Sequence, residues 1–535
     1  MGPALRRFWP LLVALAVLMA TTAVLVRLAL ANTGGRFVYA LDDAYIYMAI
    51  AKNLVRHGVW GTTPHGFCSA TSSPIWLVLL AASYLVFGIN QLAPFILNLV
   101  LAGVFLAVCH RALRRFDVGP RTIAILLLAL LLCMPVAPVL MGGLEHFLHA
   151  SAAVAFLTVA ATRGSDPAAR ATLGALAAVM VAGRYEGLFL VAAVAAMLLR
   201  ERRWRSALVV TAAASVPVVS YGIASLHAGW WFLPSSVLLK GRLRSGGLEG
   251  VRDMIEHAVG VLYLARQLLL MLVGGGLVLA VAYRRFGHLR TPATRMMSLT
   301  LAALILHLLF ARVGAFYRYE AYLVAMWIVA LGVNLSMLSE TLRPFRRLGY
   351  AGALMLALAG AWVSKPLLVR GLVAHAETPL ASRNIYEQQI QMATFLREHY
   401  PGGRIVANDI GAINYFADID NLDLVGLGTL ETMKARLAGK LDSARIEELA
   451  RARGMQVAFV YDEWFEPFGG MPQSWTKVEE WAVHGNVVLG SPKVAIYAVT
   501  PAEIDRLVAS LRAFAPRLPA TVDQTGLYTR ATALP

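Results

Sequence analysis

The chain has 535 residues, of which 58% are hydrophobic and only 15% are charged, and its formal net charge is +17. Soluble globular chains average roughly 45–50% apolar and about 25% charged residues, so the long uncharged runs exclude an ordinary soluble fold and predict a membrane protein. The positive charge does not indicate nucleic-acid binding, because most arginines lie in short loops between apolar runs, where they orient membrane helices.

Eleven apolar runs approach the length of about 20 residues that a helix needs to cross a membrane. They cover residues 9–30, 91–109, 122–140, 147–161, 172–182, 187–199, 206–226, 261–283, 297–310, 319–335 and 350–362. Arginine-rich loops occur at every second connection, and the positive-inside rule places these loops and the N-terminus in the cytoplasm. The pattern predicts a polytopic α-helical membrane protein with about 11 transmembrane helices.

The segment 74–87 is apolar but too short to cross a membrane easily. Counting it as a span would move the arginine-rich loop at 111–121 to the outside and break the alternation. We therefore interpret it as a re-entrant or interfacial helix within a first outer loop of residues 31–90.

The composition changes near residue 365, where the apolar runs end. Residues 382–400, 443–453 and 501–514 have helical patterns, and residues 404–407, 456–461 and 486–499 are typical of strands. The sequence predicts a transmembrane domain of residues 1–364 followed by a soluble α/β domain of residues 365–535, which lies on the non-cytoplasmic side.

The same alternation of loops places several charged and polar residues together on the outer side of the membrane. Such groups at membrane depth are costly and usually mark a pathway or a site. The candidates are Asp42, Asp43, Glu145, His146, Arg184, Glu186, Lys240, Arg318 and Tyr319.

Each of the acidic motifs has a functional and a structural interpretation. One carboxylate of the Asp42-Asp43 pair can act as a general base towards a hydroxyl group, or the pair can cap the helix predicted over residues 44–55. Glu145 and His146 can bind a metal, form hydrogen bonds or cap the next helix.

The cations are equally ambiguous on spacing alone. Arg184 can form an ion pair with Glu186 that joins two short helices, or it can bind a phosphate group through its planar fork of donors. Lys240 can contact a lipid phosphate or an ordinary lipid head group, and Arg318 can bind phosphate or pair with Glu320.

Taken in order, these motifs resemble the GT-C glycosyltransferases that use polyprenyl-phosphate sugars. The most similar subgroup contains the mycobacterial arabinofuranosyltransferase that adds terminal β-linked arabinose. The resemblance rests on Asp42-Asp43, the stretch from Thr71 to Trp76, Gly143-Leu144-Glu145, Arg184-Tyr185-Glu186-Gly187, Pro234-Ser235-Ser236 with Lys240, Arg318-Tyr319, and the stretch from Val406 to Ala412. Tyr185 stands where the family has proline, and Ser235-Ser236 stands where it has Asn-Thr.

The resemblance implies that Asp42 is the base that deprotonates the acceptor, with Asp43 beside the reacting centre, or the reverse. Arg184, Lys240 and Arg318 would hold the donor phosphate, and transfer would proceed with inversion. The implied donor is a polyprenyl-phosphate sugar such as arabinofuranose, and the implied acceptor is a cell-envelope glycan, a lipid-linked glycan or a surface protein. The implied location is a bacterial plasma membrane. Metal dependence stays open.

Two other classes of function are compatible with the residues. Charged residues within apolar runs and broken helices also occur in transporters and flippases for lipids or small solutes. A non-catalytic scaffold whose outer domain binds a glycan or a protein is the third possibility. A single outer cavity lined by Asp42, Arg184 and Lys240 would favour the transferase.

Overall fold

The first two thirds of the chain form a bundle of helices. The structure is a computed structural model and describes residues 3–162, 167–240, 247–339 and 349–527. The helices are α1 (Pro3–Asn32), α2 (Asp43–His57), α3 (Pro74–Phe87), α4 (Ala93–Arg115), α5 (Pro120–Cys133), α6 (Val136–Met141), α7 (His146–Thr162), α8 (Pro167–Gly183), α9 (Gly187–Arg200), α10 (Trp204–His227), α11 (Ser235–Lys240), α12 (Gly247–Leu264), α13 (Arg266–Phe286), α14 (Pro292–Phe310), α15 (Ala321–Met337) and α16 (Gly349–Ile385).

Five of the described helices are long and apolar enough to cross a membrane by length and composition. They are Arg7–Asn32 within α1, α4, α10, α13 and α14. Six further apolar helices of 10–17 residues include α3, α5 and α15, so the predicted total of 11 spans is not confirmed. The long helices carry outward apolar side chains, such as Val100 at 61% exposure and Leu208 at 62%, which suits contact with lipid.

Two predicted spans are interrupted in the structure. The run 122–140 breaks after Cys133, and a short helix resumes at Val136. Pro135 between them has no N–H to donate and its ring clashes with the preceding turn, which favours a break at this point. The run 261–283 breaks at Ala265, between α12 and α13.

The interior of the bundle is centred on α7 and α15, which are buried along most of their lengths. Both helices are apolar on all sides, which is the pattern of a helix surrounded by protein. Asn334 of α15 is a buried polar residue, and its Nδ2 donates to the carbonyl oxygens of Ala293 and Ala330, both at 2.8 Å.

The C-terminal part of the chain is an α/β unit with one mixed sheet of six strands. The strands are β1 (Arg404–Ala407), β2 (Asp420–Asp423), β3 (Val457–Val460), β4 (Thr476–Val483), β5 (Lys493–Ala498) and β6 (Val522–Gly526). Their order is β2-β1-β3-β5-β4-β6; β1 is parallel to β2 and β3, and the remaining pairs are antiparallel. The helices that accompany the sheet are α17 (Gln391–His399), α18 (Ala412–Phe416), α19 (Leu430–Leu437), α20 (Ser443–Arg453), α21 (Asp462–Phe465) and α22 (Ile504–Phe514).

A continuous helix joins the bundle to the α/β unit. α16 extends from residue 349 to residue 385 and passes through the predicted domain boundary at 364, so no loop separates the two parts there. A π-helical turn (Tyr386–Ile390) leads directly from α16 into α17. On the other side of the contact, α2, which lies between α1 and α3, packs against α18 of the α/β unit.

Candidate active site

A cavity of about 400 Å³ lies where four connections of the helix bundle meet. The start of α2, the turn before α7, the break between α8 and α9, and the loop before α15 each bring polar side chains to it. Its polar lining includes Asp43, Glu145, Arg184, Glu186, Arg318 and Tyr319. Six of the nine residues predicted from the sequence therefore share one cavity.

Arg184 is the centre of the buried charges in this cavity. Its guanidinium donates to Glu145 at 2.7 Å and to Glu186 at 2.6 Å, and its Nη1 lies 3.2 Å from Nε2 of His146. The ion pair with Glu186 that the sequence offered as one interpretation is therefore present. Within the described part of the chain, Nε of Arg184 and Oε2 of Glu145 are buried without a hydrogen-bond partner, so both retain capacity for a ligand.

The turn before Glu145 depends on a glycine. Gly143 has φ +67°, and a Cβ there would lie 2.7 Å from the Tyr39 ring. A side chain would therefore meet both an unfavourable backbone conformation and a steric clash. The turn places Glu145 directly before α7, whose first residue is His146.

Arg318 and Asp43 form the second ion pair, at 2.5 Å. Arg318 is 8% exposed at its side chain and Asp43 is 34% exposed, so the carboxylate is the more accessible partner. Tyr319 makes cation–π contacts with both arginines, because the guanidinium carbons of Arg184 and Arg318 each lie 5.1 Å from the centre of its ring. Arg318 does not pair with Glu320, which instead bonds Arg370 at 3.0 Å.

Asp42 is directed away from the cavity and towards the α/β unit. Its Oδ2 accepts from the Gly411 N–H at 3.0 Å, and its Oδ1 accepts from the Ala412 N–H at 2.8 Å. Burial and the neighbouring charge of Asp409 raise the pKa of Asp42 well above its ordinary value, although the two N–H groups act in the opposite direction. Asp42 is not among the residues that line the cavity.

The remaining predicted residues have different positions. His146 is buried beside Arg184 but is not in the cavity lining. Lys240 is the last residue of α11, and its side chain lies outside the described part of the chain. No group of three or more His, Cys, Asp or Glu residues within the described ranges is arranged to hold a metal ion.

A second cavity of about 650 Å³ lies on the other side of the Asp43–Arg318 pair. Both residues line both cavities. The second cavity extends to the β4–β5 loop of the α/β unit, and its other lining residues include Gln267, Tyr317, Glu377 and Val488. The Tyr317 hydroxyl donates to Glu377 at 2.6 Å.

The backbone between the two cavities adopts an unusual conformation. Ala315, Phe316 and Tyr317 have φ of 45°, 61° and 64° and follow Gly314 at 81°, so four consecutive residues are left-handed. Side chains held nearby support this turn: Glu320 accepts from the Gly314 N–H at 2.8 Å, and Arg370 donates to the Tyr317 carbonyl oxygen at 2.6 Å. The turn presents Arg318 to both cavities.

Sequence reasoning missed several residues of the site. Arg312 lines the first cavity, and Glu377 and Gln267 line the second. Arg312 lies two residues after the end of the apolar helix α14, a position typical of an interfacial cation, so its sequence context does not distinguish it. Glu377 lies within a helix that continues through the expected domain boundary, where no motif draws attention to it.

Comparison with known proteins is informative for the fold. No curated protein matches the chain in sequence. A family model described as a domain of unknown function (DUF8728) matches residues 383–497, which include β1 to β4 of the sheet and all of β5 except its last residue.

Two solved structures are similar to nearly the whole chain. ArnT from Cupriavidus metallidurans, bound to undecaprenyl phosphate, has a TM-score of 0.50 at 14% identity, over 91% of this chain and 99% of that chain. The archaeal oligosaccharyltransferase AglB from Archaeoglobus fulgidus, in complex with an inhibitory peptide and a dolichol-phosphate, has a TM-score of 0.52 at 12% identity, over 94% of this chain and 75% of that chain. These neighbours are GT-C membrane glycosyltransferases, so the chain has the fold of that class.

The mycobacterial arabinofuranosyltransferase AftD is also similar, with a TM-score of 0.45 at 16% identity, over 91% of this chain and 41% of that chain. A likeness at this level supports no statement about the sugar.

Proposed function

We propose that this protein is a membrane glycosyltransferase that moves a sugar from a polyprenyl-phosphate donor to a hydroxyl group of a second substrate. The observation that carries the proposal is that two cavities meet at one carboxylate and one guanidinium, Asp43 and Arg318. A donor in one cavity and an acceptor in the other would bring their reacting atoms together at this junction, which is how an enzyme avoids the entropic cost of an encounter in solution.

The first cavity suits the donor lipid. Arg184, Arg312 and Arg318 supply cationic donors, and a buried guanidinium binds phosphate oxygens in a bidentate manner. The wall also has an apolar part, which includes Leu188, Phe189, Leu233, Val237 and Phe310. An isoprenoid chain can therefore lie along the apolar wall while its phosphate contacts the arginines.

We assign the general base to Asp43 rather than to Asp42. Asp43 lines both cavities and is the more exposed member of its ion pair. Both oxygens of Asp42 are engaged by backbone N–H groups of the α/β unit. Geometry must come first when a base is chosen, and only Asp43 of this pair has access to a substrate hydroxyl in the described structure.

The chemistry is a direct displacement. The acceptor oxygen attacks the anomeric carbon, its proton passes to Asp43, and the bond between the anomeric carbon and the phosphate oxygen breaks. The bonding electrons leave with the phosphate, where the arginines stabilise the developing charge. A single displacement inverts the anomeric configuration.

The finer features of the proposal follow from the sequence. Eleven spans would place both cavities and the α/β unit on the outer side of a bacterial plasma membrane, with residues 1–364 as the membrane domain and 365–535 as the outer domain. Arabinofuranose is the sugar that the motif order favours, and a cell-envelope glycan, a lipid-linked glycan or a surface protein would be the acceptor.

The test is transfer by the full-length protein in native membranes with polyprenyl-phosphate arabinofuranose, combined with mass spectrometry of envelope glycans after deletion of the gene. Deletion should remove a sugar from one glycan, and the wild-type gene should restore it. Asp43→Asn should lower the rate at least a hundredfold, which is within the range of about 10²–10⁴ for loss of a general base.

Asp505→Asn is the matched control, because it neutralises an exposed carboxylate on α22. It should retain the full rate. A fully active Asp43→Asn variant would refute the base assignment. Flipping of a polyprenyl-phosphate lipid by the purified protein in liposomes, without any sugar transfer, would instead support the transporter alternative.

A further inference from the structure

The carboxylate of Asp42 caps a helix that lies far away in the sequence. Asp42 is the residue before α2, but its side chain makes no capping hydrogen bond to that helix. Its two oxygens instead accept from the N–H groups of Gly411 and Ala412, which begin α18 in the α/β unit. The fit requires glycine, because a Cβ on Gly411 would lie 2.3 Å from both the backbone oxygen and Oδ2 of Asp42.

The other end of α18 is held by the same helix of the first outer loop. The ammonium of Lys52, in α2, donates to the carbonyl oxygens of Asn414 at 3.0 Å and Tyr415 at 2.8 Å. Hydrogen-bond acceptors at the N-terminus of α18 and a donor at its C-terminus match the backbone groups that a helix leaves unpaired at each end. Lys52 is only 5% exposed, so it is committed to this contact.

The α/β unit offers a rigid edge at this point. Residues 408–411 directly follow β1, which is parallel to both of its neighbours, β2 and β3. They therefore lie at the carboxyl end of the parallel strands. This carboxyl edge of a parallel sheet is the usual binding edge of such folds. Asn408 accepts from the Tyr461 N–H at 2.8 Å, and Asp409 accepts from Gln389 at 2.9 Å, so neighbouring elements fix the loop.

We infer that Asp42, Gly411 and Lys52 are positioning residues through which the α/β unit holds the first turn of α2, so that the adjacent Asp43 stays at the junction of the two cavities. The α/β unit is thus a structural component of the active centre and not an independent module. The role that this inference gives to Asp43 rests on the proposed function. The docking contact between α2 and the α/β unit is independent of the proposed function.

The experiment compares Gly411→Ala, Asp42→Asn and Lys52→Met in the full-length protein. Each should lower kcat with polyprenyl-phosphate arabinofuranose at least tenfold, because a misplacement of about 1 Å can cost a hundredfold in rate. The KM for this donor should change less than threefold, since the arginines of the first cavity are untouched. Hydrogen exchange should accelerate at the amides of residues 43–47 in the first two variants.

Asp442→Ala is the control within the same unit. Asp442 caps α20 through the Arg445 N–H at 2.7 Å, and it is not part of the docking contact. The Asp442→Ala variant should have the same kcat as the wild type and the same rate of hydrogen exchange at the amides of residues 43–47. An equal loss of kcat in this variant would overturn the inference, because general weakening of the unit would then explain the result.

Two further outcomes separate this inference from the proposed function. Loss of transfer in Asp42→Asn with full activity in Gly411→Ala would mean that Asp42 itself reacts, which overturns the inference. An inactive Asp43→Asn variant beside fully active docking variants would overturn the inference and keep the transferase. If the wild type transfers no sugar, the proposed function fails, and unchanged exchange in Gly411→Ala and Asp42→Asn would then overturn the docking role independently.

Discussion

Asp409 carries a carboxyl group close to two others, Asp42 and Asp43, at the contact between the start of α2 and the α/β unit. Burial and the charge of Asp43 raise the pKa of Asp409, while hydrogen bonds from Tyr461 and Gln389 act in the opposite direction. The rise shows that the loss of hydration and the repulsion outweigh these hydrogen bonds. Ionisation of Asp409 therefore opposes folding of this region.

The sign of the pH dependence follows from this shift. An acid whose pKa is raised in the folded state binds more protons there than in the unfolded chain, so the free energy of unfolding falls as the pH rises above about 4 and through the folded-state pKa. We predict that Asp409→Asn loses less thermal stability than the wild type between about pH 4.5 and pH 7.5. Unfolding curves in detergent at a series of pH values would measure this.

Two other carboxyl groups of the α/β unit also have a raised pKa, and both remain in the Asp409→Asn variant. Burial raises the pKa of Asp423 to about 6 and that of Glu479 to about 7. These two groups make the stability of both proteins fall with rising pH. The test is therefore the difference in stability between the wild type and Asp409→Asn at each pH. Parallel profiles for the wild type and Asp409→Asn would contradict the prediction.

Single residues of the site could be recognised from the sequence, but their partners could not. The motifs identified Asp43, Arg184 and Arg318, which do line one cavity. One interpretation of the Asp42-Asp43 pair was that it caps the helix that follows it, whereas Asp42 caps a helix 370 residues further along the chain. Local propensity describes only neighbours in sequence, so it cannot reveal a cap that depends on tertiary contact.

At the scale of elements, the left-handed turn of residues 314–317 is the most constrained segment near the cavities. Each non-glycine residue in this conformation costs about 1–2 kcal/mol, and such conformations persist where the surroundings enforce them. The Glu320 and Arg370 side chains supply that enforcement by bonding the backbone at both ends of the turn. The turn that these side chains hold leads directly into Arg318, which lines both cavities.

We predict that Ala315→Gly stabilises the protein by up to about 1 kcal/mol, because relief of the left-handed conformation exceeds the added entropy of the unfolded chain. Ala509→Gly, at an exposed position in the ordinary helix α22, should destabilise it by about 1 kcal/mol. Thermal unfolding in detergent measures both. The opposite signs are the test, and equal losses of stability would show that the turn is not strained.

Elements with strong local signals were predicted well. The helix over 443–453 and the strand over 404–407 have the bounds that the sequence indicated. β2 reads Asp-Asn-Leu-Asp and was missed, because its polar residues resemble a turn. β4 has three charged residues, Lys477, Glu479 and Glu480, and its strand conformation depends on pairing with β5 and β6, which the sequence alone does not show.

At the scale of the molecule, the distribution of helix lengths explains why a span count from hydropathy is insecure. Several apolar helices, such as α5 and α9 with 14 residues each, are shorter than the roughly 20 residues of a full span. Short helices are tolerated where protein covers their ends. The breaks beside two of them supply the first cavity with Glu145, directly before α7, and with Arg184 and Glu186, between α8 and α9. The same breaks that obscure the count therefore create the site.

Orientation is the last prediction, because all the proposed chemistry requires an outward-facing site. We predict that the thiol of Asp505→Cys, on the exposed face of α22, reacts with a membrane-impermeant maleimide in intact spheroplasts. The thiol of Arg202→Cys, in the exposed loop between α9 and α10, should react only after permeabilisation, since basic loops stay in the cytoplasm. The native Cys68, Cys109 and Cys133 are all buried, so their background labelling should be low. Labelling of Arg202→Cys in intact spheroplasts, with labelling of Asp505→Cys only after permeabilisation, would place both cavities on the cytoplasmic side, away from any envelope acceptor. That result would refute the proposed reaction.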